Sequence, residues 1–251
     1  MTSSLATTDI VISIIIATYN AGSEIKDCLQ SINDQVFRKM EIVVVDGGSK
    51  DDTVASLQSY NGRLPLTWIT EPDQGIYDAL NKGARLARGK WIYFLGADDR
   101  LLPGFSELAA TLKEEHTVYY GISKAWYRNG ETGPELYTGR FSAYRMAKNC
   151  LNHQAILYPA AVFSKYTYEL QYRISADYAL NIRVWGDKNF PKQYLPVTIV
   201  NYNMEGYSSD KKDELFRQNR SQLVRDHMGY YVYCLFLFRQ FRKKMKGQPD
   251  L

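Results

Sequence analysis

The sequence predicts an α/β fold, a mostly parallel central sheet with helices on both faces, followed by C-terminal amphipathic helices. Three observations predict it. Over the first hundred residues, apolar runs that do not alternate take turns with segments of helical period, joined by short connections. Each apolar run ends in a polar loop rich in Gly, Asn or Asp. The chain is 251 residues long, 45% hydrophobic and 23% charged, which suits one core with a short appendage and excludes a disordered or collagen-like chain.

The elements follow in order. Ile10 to Ile16 is a β-branched run, the pattern of a strand buried on both faces, and it ends in the loop Ala17 to Gly22. Ile25, Cys28, Leu29, Ile32 and Val36 recur at helical spacing, with Ser23 as N-cap. A second strand, Glu41 to Asp46, runs into Gly47-Gly48-Ser49-Lys50-Asp51-Asp52 and another helical stretch. A third, Leu66 to Thr70, leads to Glu71-Pro72-Asp73-Gln74-Gly75 and a helix with Ile76, Leu80, Ala84 and Ala87 on one face. A fourth, Trp91 to Leu95, stops at Gly96-Ala97-Asp98-Asp99. Ligands of open α/β sheets sit above the carboxyl ends of the strands, so the site is expected near 17–24, 46–52, 71–82 and 96–99.

Beyond Asp99 the rhythm loosens. The pattern predicts a helix near Gly104–Leu112, a strand near Val118–Tyr120 and a polar segment from Ser123 to Arg145. It then predicts a strand over Ala155–Tyr158, a helix from Ser175 to about Trp185, and a last strand over Val197–Val200. The final forty residues read as helical, and no internal repeat is present.

Composition narrows the function classes. Cys28, Cys150 and Cys234 are scattered and form no CxxC pair, so neither a disulfide framework nor a zinc site is expected. Residues 1–99 carry 9 Lys and Arg against 13 Asp and Glu, whereas residues 100–251 carry 22 against 14. An acidic front fits a metal or polar-substrate site, and a basic end fits a phosphate-bearing partner. The N-terminus lacks a basic n-region and a long apolar run, so a cytoplasmic protein is expected.

Several residues are candidates for chemistry. Asp98 and Asp99 follow a buried strand, where adjacent carboxylates are costly unless they bind a cation or face water. Hard oxygen ligands there suit Mg²⁺ or Mn²⁺ carried with a diphosphate; the other reading is a solvated turn in which Asp99 caps the next helix. In Asp46-Gly47-Gly48-Ser49 the glycines let backbone approach a ligand and Asp46 can accept from a base or ribose. The other reading is a strand-to-helix turn capped by Ser49 or Asp51. No GxGxxG follows the first strand, which argues against a dinucleotide fold, and no GxxxxGK[ST] exists for a P-loop. Asp177 opens a helix, where a carboxylate serves chemistry or caps. His153 reads as ligand, base or structural histidine, with the last favoured by sequence alone. Lys82 is a surface helix residue by default, yet it follows a loop that should face the ligand.

Together, the blocks Ser13 to Asn20, Val45 to Thr53, Gly75 to Gly83 and Phe94 to Asp99 resemble family 2 glycosyltransferases of the GT-A fold. The third block looks most like the bacterial branch that builds exopolysaccharide, capsule and colanic-acid-type repeat units. The resemblance is strong over about 8–100 and stays in register to about 210. It implies a Rossmann-like central sheet in a glycosyltransferase domain at 1–210, with a nucleotide-sugar half (8–100) and an acceptor half (101–210). A basic, aromatic helical tail at 211–251 follows.

The resemblance also implies roles. Thr18, Tyr19 and Glu24 match the loop that holds the nucleotide, with Tyr19 against the uracil. Asp46 matches the carboxylate that reads the base, with Ser49 beside it, and Gly75, Lys82 and Ala97 fall in the donor-binding set. Asp98 matches the metal-binding end of the Asp-x-Asp motif, with help from Asp99. Gly96 stands where that motif has its first Asp, so Mn²⁺ or Mg²⁺ would be held mainly by Asp98, diphosphate oxygens and water. Asp177 matches the base of inverting members, and Gly206 and Ser208 match a loop that closes over the donor. The implied reaction moves a sugar from a UDP-sugar to a polyprenyl-diphosphate-linked saccharide at the inner face of the cell membrane. It needs a base on the acceptor side and charge stabilisation on the leaving diphosphate.

Rival classes fit less of the sequence. A sugar nucleotidyltransferase wants a Gly-rich phosphate loop with Arg and Lys near the first strand, and none is present. A carbohydrate-binding module explains 20 tyrosines and Gly96 but not Asp46, Asp98 and Asp177 together. Nucleic acid is not an expected partner, given the acidic front and the absence of a recognisable module. The tail carries its own expectation. Gly229 to Phe238 is apolar and aromatic, and Arg239, Arg242, Lys243, Lys244 and Lys246 follow. Ten helical residues span about 15 Å, half of a roughly 30 Å hydrocarbon core, so the segment does not cross a bilayer. Residues 229–246 are expected to dock on an anionic membrane surface. The alternatives are an ordinary core helix with a solvated basic end and a homo-oligomer contact.

Overall fold

The computed structural model describes residues 9–206 and 212–247. Four parallel strands build its first half, in the order β3 (Leu66–Thr70), β2 (Met40–Asp46), β1 (Ile12–Thr18), β4 (Trp91–Gly96). They are joined by α1 (Ile25–Asn33), α2 (Thr53–Gln58) and α3 (Ile76–Leu86). The chain winds outward from β1 to β3 and then returns to the other side of β1. That reversal leaves a crevice at the carboxyl ends of β1 and β4, the usual ligand position in such sheets.

Alternation of side chains explains why the strands read as unbroken apolar runs. Ile15, Val43, Ile92 and Phe94 point into one core with Tyr77 and Leu80 of α3. Ile14, Ile16, Ile42, Val44, Tyr93 and Leu95 point into the other, against Ile25, Cys28, Leu29 and Ile32 of α1. Both faces are covered, so both sets must be apolar.

The second half adds β5 (Arg100–Leu101), α4 (Gly104–Ala109), β6 (Val118–Trp126), β7 (Thr132–Leu136), α5 (Ala143–Lys148), β8 (Ile156–Pro159), α6 (Ala160–Lys165), α7 (Ala176–Gly186) and β9 (Lys192–Asn203). The sheet continues from β4 as β8-β6-β9-β5, with β7 paired to β6. Because β8 is antiparallel to β4 and to β6, and β9 is parallel to β6, strands β4, β6 and β9 all run the same way. Their carboxyl ends therefore reach the same edge as those of β1 to β3.

Several local expectations change. The first helix has no side-chain cap from Ser23; Glu24 holds the N-cap position, and Val36 lies beyond the helix at 79% exposure. Ile76 is exposed, and Tyr77 takes its place on the buried face of α3. The helix at Gly104 ends at Ala109. The polar segment from Ser123 begins inside a strand, since β6 runs to Trp126 and turns into β7. Ser123 is polar yet fully buried there, so a polarity pattern could not reveal it. The last strand runs twelve residues from Lys192, not four.

The tail is built into the core. Helix α8 (Glu214–Met228) buries Phe216, Leu223, Val224 and Met228, and α9 (Tyr230–Met245) buries Phe236. Buried Arg220 ties the helices together, donating to the carbonyls of Ala147 (2.9 Å) and Lys148 (2.7 Å) and to the Tyr178 hydroxyl (2.9 Å). Its guanidinium also lies 5.2 Å from the centre of the Phe236 ring. Among the described residues, no helix is long and apolar enough to cross a membrane.

Candidate functional site

The loops after β1 and β2 are laced together. The Asn20 amide donates to the Ser49 hydroxyl (2.8 Å), the Lys50 amide to the Asn20 side chain (2.9 Å), and the Ala21 amide to the Thr53 hydroxyl (2.8 Å). Asp51 accepts from the Gly22 amide (2.9 Å), and the N-cap position of α2 falls to Asp52 rather than to Ser49 or Asp51. Asp46 builds the turn. It is fully buried; its Oδ2 accepts from the amides of Gly48 (3.1 Å) and Ser49 (3.0 Å) and from the Thr70 hydroxyl, while Oδ1 accepts from the Ser49 hydroxyl. Two groups here have unused capacity. The Thr18 hydroxyl is buried without a partner among the described residues, and the Tyr19 ring is 64% exposed.

The loop after β3 is pinned from below. Lys82 on α3 donates to the Pro72 carbonyl (2.9 Å) and pairs with Glu71 (2.9 Å) and Asp78 (3.3 Å). Its ammonium is engaged in holding that loop rather than presented to a ligand. Glu24 sits across the crevice from the β6–β7 turn, 3.7 Å from the Arg128 guanidinium.

At the end of β4 the two carboxylates divide. Asp99 is buried and anchors the edge: its Oδ1 accepts from the Asn203 amide (2.7 Å), and its Oδ2 accepts from the Gly96 amide (3.2 Å) and the Gln154 side chain. The reading of Asp99 as a solvated helix cap is thereby corrected. Burial, and then the neighbouring Asp98, push the Asp99 carboxyl up to about 7. Asp98 is half-buried; Oδ2 accepts from the Asn203 side chain (2.8 Å), and Oδ1 has no donor among the described residues. Gly96 explains the missing Asp of the motif. A Cβ there would overlap Asp99 Oδ2, so the Asp99 carboxylate occupies the space a side chain at 96 would need.

Asp177 lies at the start of α7 and is held from α3. The Tyr77 hydroxyl, 2.9 Å from Asp177 Oδ1, also faces the Ile174 carbonyl at 2.7 Å, and the Cys150 thiol stands 3.8 Å from Oδ2. Burial, and then the Asp177 charge, push Tyr77 and Cys150 up, so both remain protonated. Asp213, the N-cap of α8, accepts from the amides of Ile174 (3.0 Å) and Ser175 (3.3 Å) and so fixes the loop before Asp177. His153 lies between the two acidic centres, its Nδ1 3.3 Å from the Tyr168 hydroxyl and its ring stacked on Phe94. Burial pushes its imidazole down, against the pull of Asp177, so it is neutral at pH 7. Tyr168 packs on Tyr77 with ring centres 5.2 Å apart, and Gln154 beside His153 holds Asp99. A continuous run of contacts therefore joins Asp99 to Asp177.

Sequence reasoning missed Tyr77, Gln154, Asn203 and Asp213. Only Asp213, an Asp just before a helical stretch, carried a local signal. Gly206 lies 3.6 Å, at its Cβ position, from Asp98 Oδ2; Ser208 lies outside the described residues. Among the described residues no group of three or more His, Cys, Asp or Glu is arranged to hold a metal. At the end of β4, among the described residues, Asp98 presents one open carboxylate oxygen, which fits an ion completed by diphosphate and water rather than a resident one. A groove of about 590 Å³ between α1 and α2 is lined by none of these residues.

The comparisons with known proteins agree with this fold. The model of glycosyl transferase family 2 matches residues 13–168. A Mycobacterium bovis PGL/p-HBAD biosynthesis glycosyltransferase is 36% identical over 202 residues, 77% of each chain. The S. aureus TarS 1–349 structure, solved in complex with UDP-GlcNAc, superposes with a TM-score of 0.68 at 18% identity, covering 87% of this chain and 71% of that one. The mannosyltransferase PcManGT from Pyrobaculum calidifontis, in complex with GDP-Man and Mn²⁺, gives 0.58 at 18% identity, covering 86% and 62%. The mixed α/β sheet is thus a GT-A-like fold, and the chain belongs to glycosyltransferase family 2.

Proposed function

We propose that the protein transfers a sugar, with inversion, from a UDP-sugar to a lipid-linked saccharide such as a polyprenyl-diphosphate sugar. The observation that carries this reading is the run of contacts joining the Asp98-Asp99 strand end to Asp177 through Gln154, His153, Tyr168 and Tyr77. It supports a donor diphosphate at one end and a base at the other. The nucleotide-sugar complexes of TarS and PcManGT support the donor class.

In this mechanism the acceptor hydroxyl gives its proton to Asp177 as its oxygen attacks the anomeric carbon, and the UDP diphosphate leaves from the opposite face. Tyr77 keeps the Asp177 carboxylate oriented. Thr18, Tyr19, Glu24, Ser49, Gly75 and Ala97 are assigned to the nucleotide side. Asp98, with Asp99 behind it, would hold Mn²⁺ or Mg²⁺ arriving with the donor, and the bound ion supplies Lewis-acid stabilisation of the leaving diphosphate.

Calorimetry of UDP-sugars with and without Mn²⁺ tests the donor side: Asp98→Asn should lose the metal-dependent part of binding and all transfer, with the fold intact. Asp177→Asn should lower kcat by roughly 10²–10⁴ with donor affinity unchanged. Full activity in either variant refutes its assignment.

The membrane reading rests on the outer face of α9. Tyr230, Tyr231, Leu237, Phe238, Phe241 and Met245 form one stripe, each between 38% and 77% exposed, with Arg242 and Lys244 at its margins. We place this stripe on the anionic inner face of the cell membrane, where a lipid-linked acceptor is met without a three-dimensional search. Phe236 is in the core, so a truncation would unfold the helix pair. The test is therefore Tyr231→Ser with Phe238→Ser and Phe241→Ser. Equal, salt-insensitive sedimentation of this variant and the wild type with anionic vesicles overturns the reading, and a concentration-dependent dimer lost in the variant marks a homo-oligomer contact instead.

A further inference from the structure

Two carboxylates stand near the exposed ring of Tyr19, and they differ in what they have left to offer. Asp46 is saturated: four protein donors reach its two oxygens and no water reaches it. Asp73, in the loop after β3, is half-exposed and uses only Oδ1, which accepts from the Gly75 amide (2.8 Å). Its Oδ2 accepts nothing among the described residues. That oxygen lies over Gly47, 2.6 Å from where a Cβ on residue 47 would stand, and the Tyr19 ring edge is 3.4 Å from the same point. Any side chain at 47 would expel the Asp73 carboxylate, so the glycine seats it beside the aromatic ring. Asp73 thus takes a position at the end of β2 although it comes from the next strand's loop.

We propose that Asp73, rather than Asp46, is the residue that selects the base of the nucleotide donor. This rests on the nucleotide-sugar reading above. An ionised carboxylate only accepts hydrogen bonds. Uracil, lying on Tyr19, offers the donor it needs in its ring N3–H. Cytosine presents a bare acceptor nitrogen at the same place, which faces the carboxylate lone pairs. A charge-assisted hydrogen bond at a partly buried site is worth about tenfold to a hundredfold in affinity. The structure thereby gives the chain a chemical reason to prefer UDP over CDP, and assigns Asp46 to holding the loop.

The test is calorimetric titration of the full chain with UDP and with CDP, both in Mn²⁺, with melting temperatures recorded for every variant. The wild type should prefer UDP by tenfold or more. Asp73→Asn keeps an acceptor for the Gly75 amide but loses the charge and gains a donor. It should bind UDP about tenfold to a hundredfold more weakly and CDP no worse, so the preference collapses at an unchanged melting temperature. Gly47→Ala should do the same by displacing the carboxylate, whereas Asp46→Asn should lower the melting temperature. If Asp73→Asn keeps the wild-type UDP preference, or if wild type shows none, the assignment to Asp73 is wrong while the donor reading stands. If wild type binds neither nucleotide, the donor reading fails and the assignment falls with it.

Discussion

Replacing Gly96 by Asp would supply the first carboxylate of the Asp-x-Asp pattern, and the structure predicts that it damages the strand end instead. A Cβ at 96 would overlap Asp99 Oδ2 and lie 3.0 Å from Asp98 Oδ1, whereas carbon and oxygen in ordinary contact need 3.4 Å or more. Asp99 would have to swing away and give up the bonds from the Gly96 amide and the Gln154 side chain. Bonds to a buried carboxyl contribute about 1–3 kcal/mol each, and the displaced group recovers part of that, so the loss should be about 3 kcal/mol. In a domain of this size 1 kcal/mol moves Tm by about 2–4 °C, which puts the fall at roughly 6–12 °C. Gly96→Ala carries the overlap without the charge and should account for most of it. The added carboxylate repels Asp98 and Asp99, a further loss that salt reduces. Thermal melts of both variants at low and high salt, with Mn²⁺ titrations lacking nucleotide, measure these effects. A Gly96→Asp protein that melts within about 2 °C of wild type and binds Mn²⁺ tightly on its own would refute the reasoning.

Three further outcomes follow from contacts described above. Tyr77→Phe removes the hydroxyl facing Asp177 and should lower kcat about tenfold, the worth of one charge-assisted bond, with UDP-sugar affinity unchanged; an unaltered kcat would separate the two residues. Arg220→Ala removes the donor that reaches the Ala147 and Lys148 carbonyls and the Tyr178 hydroxyl and should cost about 3 kcal/mol in denaturant unfolding; a loss under about 1 kcal/mol would show that these bonds do not hold α8 in place. The Thr53 hydroxyl, and then the Gly22 amide, hold the Asp51 carboxyl below its ordinary 3.8. A lowered folded value means the stabilisation is complete above the ordinary value and is lost as pH falls through the folded one. Asp51→Asn should therefore flatten the acid side of the stability profile below about pH 4, and an unchanged acid limb would contradict this.

Much of the fold of the first half is legible in the sequence because its signals are local. A strand buried on both faces must be apolar at every position, as Ile14 to Ile16 and Ile42 to Val45 are, and its carboxyl end must turn in polar residues. The helices between the strands show their period for the same reason, with Ile25, Cys28, Leu29 and Ile32 on one face. The second half is less legible. In β6 the buried positions include Ser123, and β7 is largely exposed, so neither pattern separates strand from loop. The tail reads as helical, but its period does not say that Phe236 of α9 is fully buried in the core while Tyr230, Tyr231, Phe238 and Phe241 stay outside.

The sequence by itself determined the layered α/β order, the strand ends where polar residues gather, and the carboxylates at 46, 98, 99 and 177. Which carboxylate does what was decided only by tertiary structure. Asp46 and Asp99 are surrounded by donors from Thr70, Gln154 and Asn203, residues 24, 55 and 104 positions away, and so are occupied. Asp73 and Asp98 each keep an oxygen that accepts no hydrogen bond among the described residues, and Asp177 gains Tyr77 from a helix 100 residues earlier. A carboxylate's role depends on its solvation and its donors. Both are supplied across the fold by partners that no local stretch of sequence can specify.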